Sequence, residues 1–183
     1  MFCSTLVAEC APTLAGIKTG NLFSCRMPCE ALRERVREIN PLLTPRRIRL
    51  VVLKYGAELS LVYMYRPRFL RQDLENTGAR EILAPLGYPL GSAELCVAHL
   101  AKRLNASDRF PHEIGLFLGY PPEDVAGFIE NRAAGCKCVG TWKVYGDEQS
   151  ARQKFALYRS CRDCYIENFR KYHSLDRLAV AVS

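Results

Sequence analysis

The sequence predicts an α+β fold, in which several helices cover a small antiparallel sheet. The clearest strand signal is a hairpin over about residues 46–65. There, the runs IRLVVLKY and ELSLVYMY are rich in β-branched and aromatic residues, and Gly56-Ala57 separates them. A further strand is expected at about 138–145 (CVGTWKVY), and a short one at 13–18 (TLAGIK) before a turn at Gly20-Asn21. A hairpin, then a helical block, then a late strand is an order typical of the α+β class.

Helical periodicity fills most of the remaining chain. Ser92 has the side chain of a helix N-cap. Asn40-Pro41 is expected to end the helix that Pro28 begins. The apolar face of the helix after Ser92 is expected to contain Leu95, Cys96, His99 and Leu100. The predicted helices span about residues 28–40, 69–76, 79–86, 92–104, 112–118, 122–131 and 150–172.

Length and composition predict one globular domain over residues 1–183, because 49% of the chain is hydrophobic and 25% is charged. No apolar run approaches the roughly 18 residues of a membrane span. The apolar N-terminus has no Lys or Arg before Lys18, so it lacks the basic region of a secretion signal. We therefore expect a cytoplasmic protein with no membrane partner.

The formal charge of +7 favours anionic partners. The basic clusters at 46–49 and 66–71 are interpreted mainly as solvated faces. Residues 112–131 also have the spacing of a helix-turn-helix. Its second helix, however, would direct Glu123 and Asp124 at phosphates, which disfavours a nucleic-acid partner.

The chain contains nine cysteines, an odd number. Without an export signal this indicates reduced thiols, as in the cytoplasm of an anaerobe, instead of a disulfide framework. Two close pairs also offer a metal site, in which four thiolates would bind zinc or an iron–sulfur cluster. The candidate ligands are Cys136, Cys138, Cys161 and Cys164. The competing interpretation is that these thiols pack as small core residues.

The segment FPHEIGLFLGYPPEDVAGFIENR (110–132) has a structural and a functional interpretation. In the first, Gly119 adopts the left-handed conformation after one short helix, and Pro121-Pro122 starts the next. In the second, His112 and Glu113 act as acid and base or as metal ligands. The zinc-protease pattern HExxH is absent, because position 116 is Leu.

An anionic ligand is the chemistry that the neighbouring polar residues suggest. Lys18 and Asn21 flank a flexible Gly20 turn, and Lys143 would meet Lys18 if their two strands belonged to one sheet. The expected pocket is lined by His112, Glu113, Lys18, Asn21, Tyr120 and Lys143.

Four stretches together resemble the pattern of one uncharacterised bacterial family found largely in anaerobic Firmicutes. The most specific is residues 110–132, which contain HEIGLFLGYPPEDVAGFI. The others are residues 10–24, the YRP that ends the hairpin at 65–67, and GTWKVYGDEQSARQKF at 140–155. The resemblance implies no established activity and leaves the cofactor unknown. It associates the chain loosely with iron and flavodoxin-type redox metabolism.

Three functions follow as hypotheses. The leading one is a cytoplasmic binding or accessory protein for an anionic small molecule or a redox partner protein. The second is a small enzyme that uses His112 as acid or base. The third is a thiolate metal protein built on the two cysteine pairs.

Overall fold

A computed structural model of the chain describes residues 2–107 and 109–182. Its small antiparallel sheet and surrounding helices confirm the α+β class. The helices are α1 Phe2–Leu14, α2 Cys29–Leu43, α3 Pro67–Glu75, α4 Thr77–Leu83, α5 Ala93–Ala106, α6 Ile114–Phe117, α7 Pro122–Glu130 and α8 Glu148–Tyr172. The strands are β1 Gly20–Cys25, β2 Arg49–Lys54, β3 Ser60–Tyr65, β4 Cys138–Val139 and β5 Lys143–Val144.

The chain forms two compact units. Unit 1 consists of the residues up to Phe69 and from Ser160 onward, and unit 2 is Leu70–Arg159. Unit 1 has fifteen Lys and Arg against eight Asp and Glu, whereas unit 2 has eleven of each. The whole formal excess of positive charge therefore belongs to unit 1. That residues 1–183 form one domain stays a prediction.

Unit 1 contains a three-stranded antiparallel sheet in the order β1-β3-β2. The pairing of β2 with β3 confirms the predicted hairpin. The third strand is β1, so the expected strand at 13–18 and the expected turn at Gly20-Asn21 are wrong. Thr13 and Leu14 instead end α1, whose residues Leu6, Cys10 and Leu14 recur every four positions and are fully buried. This helical burial outweighs the weak local strand preference of TLAGIK.

Arg66 connects three separate segments of unit 1. Only 2% of its surface is exposed, and its guanidinium donates hydrogen bonds of 2.8–3.2 Å to the carbonyls of Thr13, Leu14, Arg46 and Val180. Burial lowers the pKa of Arg66. The carbonyls at the end of α1 are the negative pole of that helix, which favours a cation there. Arg66 is thus a structural clamp and not part of a solvated face.

The predicted start of α5 is confirmed, whereas the predicted end of α2 is wrong. The Ser92 cap is confirmed, because its Oγ accepts a hydrogen bond from the Leu95 amide at 3.3 Å. Leu95, however, is 58% exposed, so its assignment to the apolar face is wrong, whereas Cys96 and Leu100 of that face are buried. The expected end of α2 at Asn40-Pro41 is wrong. The helix continues to Leu43, since an interior proline removes only one backbone donor here and the Thr44 amide still bonds to Asn40.

The expected strand at 138–145 is split into a hairpin. Strand β4 pairs only with β5, in a two-stranded sheet of unit 2 that is distinct from the sheet of unit 1. The run turns at Gly140, whose amide donates to the Trp142 carbonyl at 3.0 Å. A side chain at Gly140 would lie 2.1 Å from the ring of Phe155, so the tight turn depends on a glycine. The small core beside it contains Trp142, Val144, Ala151 and Phe155.

None of the helices within residues 2–107 and 109–182 is both long and apolar enough to cross a membrane.

Candidate functional site

The site in unit 2 is organised around the buried carboxylate of Asp124, in the first turn of α7. Its Oδ2 accepts a hydrogen bond of 2.6 Å from the Trp142 indole, and its Oδ1 accepts 2.7 Å bonds from the Tyr145 and Gly146 amides. Only 2% of Asp124 is exposed. Three donors compensate the buried charge and fix the β4–β5 hairpin against α7.

Trp142 is the centre of an aromatic wall. Its ring stacks on Tyr120 at 4.8 Å and meets the ring of Phe155 edge-on at 4.5 Å. The Tyr120 hydroxyl donates to the Thr141 carbonyl at 3.2 Å. Burial, reinforced by Tyr158, raises the pKa of Tyr120 to about 12, so the phenol stays neutral. The wall is therefore held by stacking and by hydrogen bonds at both of its polar groups.

A cavity of about 400 Å³, here named the Trp142 pocket, lies beside this wall. Most of its lining is apolar or aromatic: Phe110, Ile114, Leu118, Tyr120, Val125, Phe128, Val139 and Trp142. The ionisable side chains that line it are His112, Asp124 and Lys143. A pocket with mostly apolar walls and few polar groups is typical of small-molecule sites.

His112 and Lys143 both contact Phe128 in this pocket. The His112 ring meets the Phe128 ring edge-on, with 5.0 Å between centroids, and Lys143 Nζ lies 6.0 Å from the Phe128 centroid. The half-buried Lys143 ammonium donates a hydrogen bond of 2.7 Å to the Ala133 carbonyl. No carboxylate pairs with Lys143 among residues 2–107 and 109–182. The oxygens of Asp124 already accept three hydrogen bonds, so Lys143 is the charged donor that the pocket offers beside Phe128.

Residues 6–179 match the family described as "Protein of unknown function (DUF3793)". The chain belongs to this family. The match covers nearly the whole sequence and confirms the predicted membership of an uncharacterised family. Comparisons with curated proteins and with solved structures give no match. The DUF3793 description assigns no activity, so any function has to be argued from the geometry.

Three of the predicted pocket residues meet in the DUF3793 chain: His112, Tyr120 and Lys143. Glu113 does not join them. Its Oε1 instead accepts hydrogen bonds from the Tyr88 hydroxyl at 2.9 Å and from Arg103 Nε at 2.7 Å. Burial, with the neighbouring carboxylate, raises the pKa of Tyr88. His112 and Glu113 are adjacent in sequence, but Glu113 forms a partly buried ion pair with Arg103 while His112 lines the pocket.

The two remaining predicted ligand-binding residues belong to unit 1. Lys18 is buried and donates to the Gly20 carbonyl, and Asn21 Oδ1 accepts from the Thr13 hydroxyl at 2.7 Å. The expected meeting of Lys18 with Lys143 depended on one shared sheet. That sheet does not form, since the strand of Lys143 pairs only with Cys138–Val139.

All nine cysteines of this DUF3793 protein are thiols. Cys136 and Cys138 belong to unit 2, whereas Cys161 and Cys164 belong to unit 1. Within the described parts of the chain, no three His, Cys, Asp or Glu side chains come close enough to hold a metal ion. Burial and the neighbouring Cys164 raise the pKa of Cys161 to about 11, which keeps this thiol protonated at neutral pH.

Sequence reasoning missed the two residues that organise the site. Asp124 and its neighbour Glu123 have acidic side chains in the first turn of α7, which alone suggests an interaction with the helix dipole. Glu123 is exposed, as that interpretation expects, but Asp124 is buried. Trp142 is the only tryptophan of the chain, and that was the one signal that could have drawn attention to it. The helix-turn-helix interpretation finds no support, because α6 has only four residues.

Proposed function

We propose that this protein binds a small anionic molecule in the Trp142 pocket, with Lys143 as the main contact of the anion. The observation that carries the proposal is the half-buried ammonium of Lys143 beside an apolar cavity. Among the described residues its hydrogen-bond partner is the neutral Ala133 carbonyl. A charge that is partly removed from water and has no opposite charge beside it attracts an anion strongly.

His112 supports the same assignment. Its ring also contacts Phe128, so His112 and Lys143 are two polar side chains beside the same ring of the pocket. Imidazole can donate a hydrogen bond in its neutral form and adds a positive charge when protonated. The carboxylate of Asp124 does not compete for the ligand's place, because its oxygens already accept three hydrogen bonds.

Binding is favoured over acid–base catalysis by the position of Glu113. The proposed catalytic pair needs His112 and a carboxylate within hydrogen-bond reach of one substrate. Glu113 contacts Tyr88 and Arg103 instead. The thiolate-metal hypothesis lacks comparable support, because among the described residues no three His, Cys, Asp or Glu side chains come close enough to hold a metal ion.

The test uses the fluorescence of Trp142, the one tryptophan of the chain, whose ring lines the Trp142 pocket and also a second cavity beside Asp147 and Lys154. The protein is titrated with citrate, inorganic phosphate and 3-phenylpropanoate, three anions of different size and polarity. We expect at least one of them to change the Trp142 emission saturably. Lys143→Met should weaken that binding at least about tenfold, the value of one charge-assisted contact.

Lys102→Met is the matched control, because Lys102 is exposed on α5 and does not line the pocket. It should bind the same anion as the unmodified protein does. Equal affinity in Lys143→Met and Lys102→Met, with both proteins folded by circular dichroism, would contradict the proposed role of Lys143. Absence of any saturable change with all three anions would contradict the binding function itself.

A further inference from the structure

We infer that the ligand of the Trp142 pocket is a monocarboxylate with an apolar, ring-containing body, an inference that rests on the proposed function. The lining has one permanent cation, Lys143, and a series of ring faces and aliphatic side chains. This composition matches a molecule with one negative charge at one end. It does not match a phosphate ester or a polyanion, which needs several cations or a row of backbone N–H donors.

The two helices beside the pocket, α6 and α7, do not offer the row of N-terminal amides that phosphate groups use. Helix α6 has four residues, and α7 begins at Pro121-Pro122, where neither residue has an N–H. A phosphate at the start of α7 would therefore find no backbone N–H at these two prolines, whereas a single carboxylate would need only Lys143 and His112.

The charge of the surrounding unit leads to the same conclusion. Unit 2 contains equal numbers of basic and acidic residues, eleven of each. Attraction of an anion to this pocket therefore depends on local contacts and not on an excess of positive charge in the unit that contains it. One local ammonium favours a single negative charge.

We assign the two ends of the ligand from the side chains that line the pocket. Lys143 and His112 lie next to Phe128, while the Tyr120–Trp142 stack forms a separate aromatic wall. A carboxylate near Phe128 would direct the body of the ligand along that wall. The volume of about 400 Å³ is near the small end of the range for ligand pockets, roughly 300–1,000 Å³, which fits a body of one or two rings.

The rim of the pocket supplies apolar surface that such a body would cover. Phe110 is 47% exposed and Val139 is 67% exposed, and both line the cavity. Aromatic and aliphatic side chains exposed next to a concave site mark a binding surface more than a solvated one. A small hydrophilic anion would leave these two side chains in water.

The experiment compares four ligands by Trp142 fluorescence and by calorimetry: 3-phenylpropanoate, its neutral amide 3-phenylpropanamide, acetate, and phenyl phosphate. We expect 3-phenylpropanoate to bind at least about tenfold more tightly than each of the other three. Lys143→Met should remove the preference for the acid over the amide. Phe128→Leu should weaken the binding of 3-phenylpropanoate while the preference for the acid over the amide remains. Lys102→Met should change neither the affinity nor the preference.

The outcomes separate this inference from the proposed function. If acetate or phenyl phosphate binds more tightly than 3-phenylpropanoate and this binding needs Lys143, the inferred ligand class is wrong and anion binding stands. If the amide binds as tightly as the acid, the carboxylate assignment is wrong. If no anion binds at all, the proposed function fails together with the inference.

Discussion

The indole N–H of Trp142 donates a hydrogen bond of 2.6 Å to Oδ2 of Asp124, a carboxylate with 2% of its surface exposed. The other oxygen of the same carboxylate accepts from two backbone amides of the segment after β5. One buried charge in α7 therefore determines where the aromatic wall of the pocket stands. If the pocket binds a ligand as proposed, we expect that binding to depend on this contact even where Asp124 does not touch the ligand.

Replacing Asp124 should destabilise the protein strongly. Asp124→Ala leaves one indole and two amide donors without an acceptor, so we expect the free energy of unfolding to fall by at least about 3 kcal/mol. Chemical denaturation followed by Trp142 fluorescence measures the change. Glu123→Gln is the control, since its exposed side chain in the same turn should contribute less than about 0.5 kcal/mol. Similar losses in both variants would show that the charge at the start of α7, and not the buried network, is what matters.

Glu113 should matter for stability and not for binding. Removing the carboxylate in Glu113→Ala leaves Tyr88 and Arg103 without their shared acceptor. We therefore expect the free energy of unfolding to fall by about 2 kcal/mol or more. The loss should be smaller than for a fully buried ion pair, because Arg103 is partly exposed. Affinity for 3-phenylpropanoate should stay within about twofold, since Glu113 does not line the pocket. If a folded Glu113→Gln protein no longer bound 3-phenylpropanoate, Glu113 would have a role in binding, contrary to this prediction.

The loop that receives the Lys143 hydrogen bond contains a residue in the left-handed conformation. Ala133 has φ of 67°, which costs an alanine about 1–2 kcal/mol. Glycine relieves that strain at an entropic cost of about 0.4–1 kcal/mol in the unfolded chain. Ala133→Gly should therefore raise the free energy of unfolding by up to about 1 kcal/mol. Ala134 has no positive φ, so Ala134→Gly should lower the free energy of unfolding. Thermal unfolding of the two variants measures both changes.

The two cysteines of α8 should react at different rates. Burial and Cys164 raise the pKa of Cys161 from 9.0 to about 11, while Cys164 is exposed. At pH 8 we expect iodoacetamide to modify Cys164 well before Cys161, because the thiolate is the reactive form. Peptide mass spectrometry over time measures both. Faster modification of Cys161 would contradict the protonated, partly buried thiol.

The raised pKa of Cys161 should also affect the stability of the protein at high pH. The folded protein holds the Cys161 proton more tightly than the unfolded chain does. The contribution of this thiol is therefore fully present below pH 9.0 and is lost as the pH rises through about 11. Cys161→Ser should flatten the decline in stability over that interval.

The features that the sequence predicted correctly depend on neighbours along the chain. The hairpin of β2 and β3 follows from two β-branched runs around Gly56, and the Ser92 cap follows from one side chain and the amide three residues later. Gly119 is in the left-handed conformation, with φ of 73°, as the segment before Pro121-Pro122 indicated.

The features that the sequence did not predict depend on distant contacts. The 138–145 run is divided because Phe155 occupies the space beside Gly140, which only the packing of α8 reveals. The burial of Asp124 depends on donors 18 to 22 residues later in the chain. His112, Tyr120 and Lys143 meet as expected, but the spacing of side chains around a tight turn sends Glu113 elsewhere. The types and spacing of polar residues identified candidates but could not decide which of them face one cavity.

The most direct test of ligand binding in the Trp142 pocket is the indole ¹⁵N–¹H resonance of Trp142, recorded while 3-phenylpropanoate is added. The chain has one tryptophan, so this signal is unambiguous. In the unmodified protein we predict a saturable shift of the indole signal. This shift should be absent in Lys143→Met and present in Lys102→Met. An indole signal that stays fixed while calorimetry detects binding would place the ligand elsewhere and contradict the central claim.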